Sequence, residues 1–203
     1  MKEKETRTPS PADYETPMMR QYFEMKRKYP GMLLFFRLGD FYELFDDDAR
    51  EVSTLLGLTL THRVNMPMCG VPYHAAESYI GKLVKMRRRV AVCDQMEDPK
   101  KAKGLVKREI TRIVTPSTNL DDEQSSKQGN NFLATVCSVK IKGREVFGAA
   151  FLDVATGSFE MTEMSSCEEV VEELRRLQPT EIIYPESGES RGQPALGGVQ
   201  NAA

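Results

Sequence analysis

Apolar residues recur at helical spacing over Met18, Met19, Tyr22, Phe23 and Met25. They follow Thr16-Pro17, where threonine is a favoured N-cap and proline a favoured first helical residue. The pattern predicts a helix that stops before Pro30-Gly31. From Met32 to Leu38 the chain predicts a buried strand, and Gly39-Asp40 turns it into a second short strand, Phe41 to Phe45. Asp46 to Asp48 then stand where carboxylates cap a helix and meet its positive end; this helix runs to Leu56 and is closed by Gly57. Leu58 to Thr61 alternate leucine with threonine, a short strand. Val64 to Pro72, punctuated by Pro67, Gly70 and Pro72, reads as a loop. A helix from His74 to Arg88 follows, its apolar face built by Ala75, Tyr79, Ile80, Leu83, Val84 and Met86. Then come a strand from Val90 to Gln95, a charged loop from Glu97 to Lys107, and a strand from Glu109 to Thr115.

Strands alternating with helices predict an α/β domain with a mixed sheet, over residues 14–117. Residues 118–130 are polar and acidic and read as a linker, and residues 1–13 as a disordered tail. Beyond the linker the texture changes. Phe132 to Lys140, Val146 to Asp153 and Ser158 to Met164 predict three consecutive strands, turning at Lys142-Gly143 and Thr156-Gly157. Ser165 and Ser166 precede Glu168 and Glu169 by three residues, a capping-box pattern that opens a helix carrying Val170, Val171, Leu174 and Leu177. Pro179 ends it, Glu181 to Tyr184 is a fourth strand, and residues 186–203 form a second tail. Residues 131–185 therefore give the front half of a ribonuclease-H-like layer. A sheet covered on one face only is marginal by itself, so this piece is expected to lean on something else.

Composition narrows the class. With 40% hydrophobic and 29% charged residues over 203 positions, the chain is long enough for one domain and part of a second, and its make-up is globular. No apolar run approaches the roughly 20 residues of a membrane-spanning helix, and the charged start, Met1 to Arg7, does not resemble a signal peptide. The four cysteines, Cys69, Cys93, Cys137 and Cys167, lie far apart, which suits reduced thiols in a cytoplasmic protein better than a zinc site. The net charge of -2 hides an asymmetry: Asp40 to Glu51 carries a net of -5, and Lys82 to Arg112 a net of +7. Such a basic segment fits a phosphate backbone or simply a solvated helix face and loop.

Several chemistries can be weighed on these residues. There is no phosphate-binding P-loop: Gly81-Lys82 is followed by Leu83, with no glycine at the required distance before it. A metal-dependent nuclease would centre on Asp153, at a strand end, but only Glu160 and Glu181 accompany it, and a role in the turn before Thr156-Gly157 is the simpler account. His62 and His74 have no partner at a telling spacing and read as structural. The Asp46-Asp47-Asp48 run reads as capping rather than as a metal site. Phe41 and Glu43, two residues apart in an extended segment, point the same way. Together they form either a wedge with a hydrogen-bonding partner or a core aromatic beside solvated acids.

Four segments taken in order resemble one family. Thr16-Pro17-Met18-Met19-Arg20-Gln21-Tyr22, Leu38-Gly39-Asp40-Phe41-Tyr42-Glu43-Leu44-Phe45, Met68-Cys69-Gly70-Val71-Pro72-Tyr73-His74-Ala75 and Arg112-Ile113-Val114-Thr115-Pro116 are similar to the opening of the MutS family of DNA mismatch-repair proteins. The resemblance implies a mismatch-recognition domain followed by a truncated connector domain, with the family's lever, clamp and ATPase domains unrepresented. It implies that Phe41 enters the minor groove and stacks on a mispaired base, to which Glu43 hydrogen-bonds, while Tyr42 packs on the other side. Arg63 matches a basic position near the DNA, and Leu38 and Met68 are further candidate contacts. The segment Val64-Asn65-Met66 is shorter than the family's usual loop before Pro67. The resemblance further implies a mismatched duplex as ligand, the remainder of a MutS-like chain, a second subunit, a MutL-like partner, and a cytoplasmic, nucleoid-associated location if the source is bacterial. ATP and Mg²⁺ belong to the full-length family protein. A small nuclease centred on Asp153, or a fragment without function, are the alternatives.

Overall fold

In the computed structural model of the protein, residues 16–63, 66–97, 104–119 and 131–184 are described. The expected tails, nearly all of the expected linker, and the segments 64–65 and 98–103 lie outside them. The chain divides into two compact units, Met1–Thr115 and Pro116–Ala203. No helix among the described residues is long and apolar enough to cross a membrane.

The first unit opens with α1, Pro17–Lys28, whose N-cap Thr16 accepts a hydrogen bond from the Met19 amide at 3.2 Å. Strands β1 (Leu33–Leu38) and β2 (Phe41–Phe45) form an antiparallel hairpin. Helix α2 (Asp46–Leu56) then ends on Gly57, whose left-handed φ of 66° a residue with a Cβ rarely adopts. Next come β3 (Thr61–Arg63), β4 (Met66–Pro72), a single tight turn at Tyr73–Ala75, α3 (Ala76–Lys85), β5 (Val90–Gln95) and β6 (Arg108–Val114). The sheet order is β3-β4-β2-β1-β5-β6, with β1 and β5 parallel and the other neighbours antiparallel. This is a mixed sheet, as the alternation of elements predicts.

The two faces of the sheet have separate cores. Leu33, Phe35, Tyr42, Leu44, Cys69 and Val71 pack under α2 and α3 through Val52, Ile80 and Leu83. On the opposite face Leu34, Phe36, Phe45, Ala91 and Cys93 pack with Met19, Tyr22 and Phe23 of α1. Because side chains alternate along a strand, Phe41, Glu43 and Phe45 belong to the α1 face and Tyr42 and Leu44 to the other.

Three expectations for this unit need correction, the first being the short strand over Leu58 to Thr61: residues 58–60 are irregular, and β3 begins only at Thr61 and runs to Arg63. The loop expected over Val64 to Pro72 is, for its described residues, a strand: Met66–Pro72 is β4, hydrogen-bonded between β3 and β2. Pro67 is tolerated because it lies one residue past the end of the β2 pairing, which stops at Phe45–Met68, so its missing N–H breaks no ladder there. The three aspartates do stand in the first turn of α2, at its positive end, but the N-cap itself is Phe45, which has no side-chain bond. Asp48 instead turns inward and is 6% exposed.

In the second unit β7 (Leu133–Ile141), β8 (Arg144–Asp153) and β9 (Ser158–Met164) form an antiparallel meander. Helix α4 (Cys167–Leu177) follows, and β10 (Glu181–Ile183) returns parallel to β7, giving the order β10-β7-β8-β9. The serine cap is present in a variant of the expected capping box: the N-cap Ser166 accepts from the Glu169 amide at 3.3 Å, while Glu169 reaches past it to accept from the Ser165 amide at 2.9 Å. Val170 and Leu174 of α4 pack on Phe132, Ala134, Phe147 and Phe151. Leu133, Leu152, Phe159, Met161 and Ile183 belong to the other face, where Phe159 and Met161 are exposed.

Asp153, at the end of β8, is buried and accepts hydrogen bonds from the amides of Asn131, Ala155 and Thr156 at 3.3, 3.0 and 3.2 Å. Burial pushes its carboxyl up, but these amides together outweigh it and hold it below the usual aspartate range. A carboxyl depressed in the folded state adds stability above its unfolded value of about 3.9, and that stability disappears as the pH falls through the lower folded value. Asp153→Asn places an amide N–H₂ among donors and should cost about 1–3 kcal/mol at neutral pH. Urea unfolding followed downward from about pH 7 should show the wild type losing this advantage below about pH 4 while the variant stays flatter. Parallel pH profiles contradict the assignment.

Candidate nucleic-acid interface

Gly39, at a φ of 59°, and Asp40 form the turn that delivers Phe41. The turn is held from outside, because the Tyr73 amide donates to the Asp40 carbonyl at 2.9 Å. Phe41 pairs with Leu38 on β1 and Pro72 on β4, so its backbone is fixed on both sides. Its ring is nevertheless 47% exposed, because the core built around α1 covers Phe45 and Phe36 and stops short of the hairpin end. Leaving a phenylalanine half exposed forgoes roughly half of the about 1.5–3 kcal/mol that full burial would contribute.

Glu43 lies two residues along on the same face, opposite Gly70. A Cβ on Gly70 would stand 3.3 Å from the Tyr42 carbonyl oxygen, 3.6 Å from Glu43 Cγ and 3.9 Å from Phe41 Cδ1. Gly70 thus leaves the gap in which the Phe41 and Glu43 side chains sit, a role that its apparent use as loop punctuation concealed. Glu43 Oε2 accepts from Arg63 NH1 at 2.6 Å, with the Glu43 side chain 16% and the Arg63 side chain 44% exposed. Of the residues singled out in the sequence, Phe41, Glu43 and Arg63 therefore converge on one surface. Leu38 and Met68 are half-buried against the α1-side core.

Tyr42 faces the other way. It is buried, packs on Phe35 with ring centroids 6.1 Å apart, and donates to Asp94. Burial, with the Asp94 carboxylate beside it, pushes the phenol up to about 12. On this side the Arg37 guanidinium lies 3.9 Å from the Tyr73 ring centroid and 5.4 Å from that of Tyr42. This stack fastens β1 to the turn after β4. It was not legible in the sequence, where Arg37 and Tyr73 are far apart.

The basic segment is less free than its charge count suggests. Arg88 pairs with Glu51, Arg112 with Glu77 and Lys107 with Glu109. Arg108 is buried, donates to the Arg37 carbonyl and to Gln21, and lies over the Phe36 ring at 4.9 Å, so it belongs to the fold rather than to a solvated loop. His62 and His74 are exposed, on β3 and in the turn before α3. Cys69 and Cys93 are buried thiols, pushed up to about 11 and about 12 by that burial. No cluster of three or more His, Cys, Asp or Glu side chains suited to a metal occurs among the described residues. Of the residues weighed for a nuclease, Asp153 is engaged by three amides and Glu181 by the amide and hydroxyl of Ser117.

Comparison with known proteins places the chain in a family. The family model MutS domain I matches residues 16–123, and MutS domain II matches residues 131–200. A DNA mismatch repair protein MutS from Syntrophobacter fumaroxidans is 51% identical over 179 residues, 86% of this chain and 20% of the relative. Proteins of the same name from Chlorobium phaeobacteroides and Myxococcus xanthus are 47% and 49% identical, over 91% and 84% of this chain and 22% and 19% of theirs. The chain thus spans about a fifth of the length of these relatives.

The close approach at Gly70 can be tested alone. The Tyr42 carbonyl is locked in a strand paired on both sides, so it cannot easily yield to a methyl group. Gly70→Ala should cost about 1–2 kcal/mol in urea unfolding and move the backbone amide signals of Phe41 and Glu43. An unchanged midpoint with unmoved amides contradicts this role.

Proposed function

The chain belongs to the MutS family, and from that membership we propose that its first unit binds mismatched double-stranded DNA in mismatch repair, with Phe41 as a minor-groove wedge and Glu43 as the hydrogen-bonding partner of the mispaired base. The observation that carries the reading is the Phe41 ring, 47% exposed yet anchored on a strand paired on both sides, with a carboxylate beside it on the same face. An apolar ring inserted between base steps must unstack them, at a few kcal/mol per step. A mismatch is already poorly stacked and paired, so the same insertion costs less there. Discrimination then needs no reading of base sequence.

Glu43 adds the second part. A carboxylate near phosphates is repelled and can only accept hydrogen bonds, whereas a carboxylic acid can donate one to a base acceptor. Intact duplex offers no displaced base in return for approaching the charge, so Glu43 penalises it more than a mismatch. The unit acts here as a binding module. ATP and Mg²⁺ serve other parts of the full-length family protein, and a second subunit, the rest of a MutS-like chain and a MutL-like partner complete the assembly, in the cytoplasm on nucleoid DNA if the source is bacterial.

Fluorescence anisotropy of the 203-residue chain with a G·T duplex and its fully paired counterpart tests this reading. Phe41→Ala should weaken G·T binding by about 1–3 kcal/mol, the range for losing an aromatic stacking platform, and leave paired binding nearly unchanged. Glu43→Gln should tighten paired binding and narrow the ratio between the two duplexes. If Phe41→Ala binds G·T as the wild type does, the wedge reading is wrong.

A further inference from the structure

The sequence resemblance gives Arg63 and Glu43 separate tasks, one toward the DNA backbone and one toward a base, but the structure joins them to each other. The joining is not a by-product of adjacency. Glu43 is opposite Gly70 on β4, while Arg63 is opposite Met66 on the far side of the same strand. The guanidinium must therefore reach back along and across β4 to make its 2.6 Å contact. The Glu43 side chain is mostly covered, at 16% exposure, and the arginine is the more open partner. Arg63 also lies on the edge strand of the sheet, next to β4 alone.

The contact turns the Arg63 guanidinium toward Glu43 rather than toward a phosphate, and occupies the Glu43 Oε2 that a base would otherwise meet. We propose that Arg63 and Glu43 exchange partners on mismatched DNA: Glu43 keeps Arg63 off the backbone until a mispaired base takes Glu43, and the released Arg63 then binds a phosphate. Arg63 is on this view a specificity-determining residue, because its phosphate contact forms only where Glu43 has somewhere else to go. On intact duplex neither contact forms, and the Phe41 face meets the backbone with its arginine already neutralised. The inference rests on the wedge reading above and adds to it the coupling between a base contact and a backbone contact.

The coupling has a signature that a simple phosphate contact lacks. Binding of the 203-residue chain and its Arg63→Met, Glu43→Gln and doubly substituted variants to G·T and fully paired duplexes is measured by anisotropy over a range of salt concentrations. With Glu43 present, Arg63→Met should weaken G·T binding by about five- to tenfold and leave paired binding within about twofold, so that discrimination falls. In the Glu43→Gln background, where the guanidinium faces a neutral amide instead of a carboxylate, Arg63→Met should weaken both duplexes by a similar factor and leave discrimination unchanged. In the wild type the slope of log affinity against log salt should be steeper for G·T than for paired duplex by about one phosphate contact, and Arg63→Met should abolish the difference. Equal weakening of both duplexes by Arg63→Met in the Glu43 background overturns the exchange, as does an unchanged affinity for both. The wedge reading fails separately, through Phe41→Ala, since Phe41 is no part of the pair. A wild type with no preference for G·T overturns both.

Discussion

One buried carboxylate fixes the frame on which the candidate interface is mounted. Asp48, in the first turn of α2, accepts from Lys26 Nζ at 2.7 Å, the Leu34 amide at 3.0 Å and the Tyr22 hydroxyl at 3.4 Å. Those three donors belong to the helix before the sheet and to β1, while α2 follows directly from β2. Burial pushes the carboxyl above its ordinary range, against the pull of Lys26 and of the Leu34 amide. Breaking such a buried pair from one side typically costs about 3–5 kcal/mol, a large part of a small domain's stability. The Tyr22 ring adds edge-on contacts to Phe23, Phe36 and Phe45, with centroids 4.9–5.4 Å apart. Helix, hairpin and following helix are thereby locked in one register, and that register decides that Phe45 faces the core while Phe41, four residues earlier on the same face, emerges past its edge.

Most of this frame could be read from local chemistry. Thr16, Gly57 and Ser166 mark helix ends because the unpaired amides and carbonyls there call for those residue types, and each acts as its position suggests. The alternation that sends Phe41 and Glu43 one way and Tyr42 the other is equally local, since it needs only an extended backbone. What escaped the sequence depends on contacts between distant segments. Pro67, Gly70 and Pro72 look like loop punctuation until β4 is seen between two partners, where Pro67 lies past the end of one ladder and Gly70 makes room for Glu43. Asp48 looks like a cap until Leu34 and Lys26 are brought to it. The Arg63–Glu43 contact depends on how β3 lies on β4, a register no periodicity reveals.

Charge follows the same rule. A run of bases along the chain suggests a basic surface, yet Arg88, Arg112 and Lys107 are matched by acids from other elements or neighbouring positions, and Arg108 is inside. The acids of the hairpin and α2 divide likewise, one buried as an anchor and one, Glu43, set beside the exposed ring. Electrostatic character at the interface is therefore a property of individual pairs and of which can be exchanged for DNA groups, rather than of net charge in a segment.

The rigidity around Phe41 bears on how such a ring can discriminate. A wedge on a flexible loop would lose conformational freedom on insertion, and that cost would be the same for any duplex. Here Leu38 and Pro72 flank the residue, the Asp40 carbonyl is tied to the Tyr73 amide, and Tyr42, next along the strand, is anchored by its hydroxyl to Asp94. The ring is held in place by the strand itself, so if it inserts as proposed, little of the price of insertion falls on the protein. Nearly all of it falls on the duplex, as unstacking and bending, and those are the terms that differ between a mismatch and a paired step. On the proposed wedge reading, a rigid strand end turns the softness of the DNA into the quantity being measured, and the proposed exchange of the neighbouring ion pair adds a second threshold on the same axis.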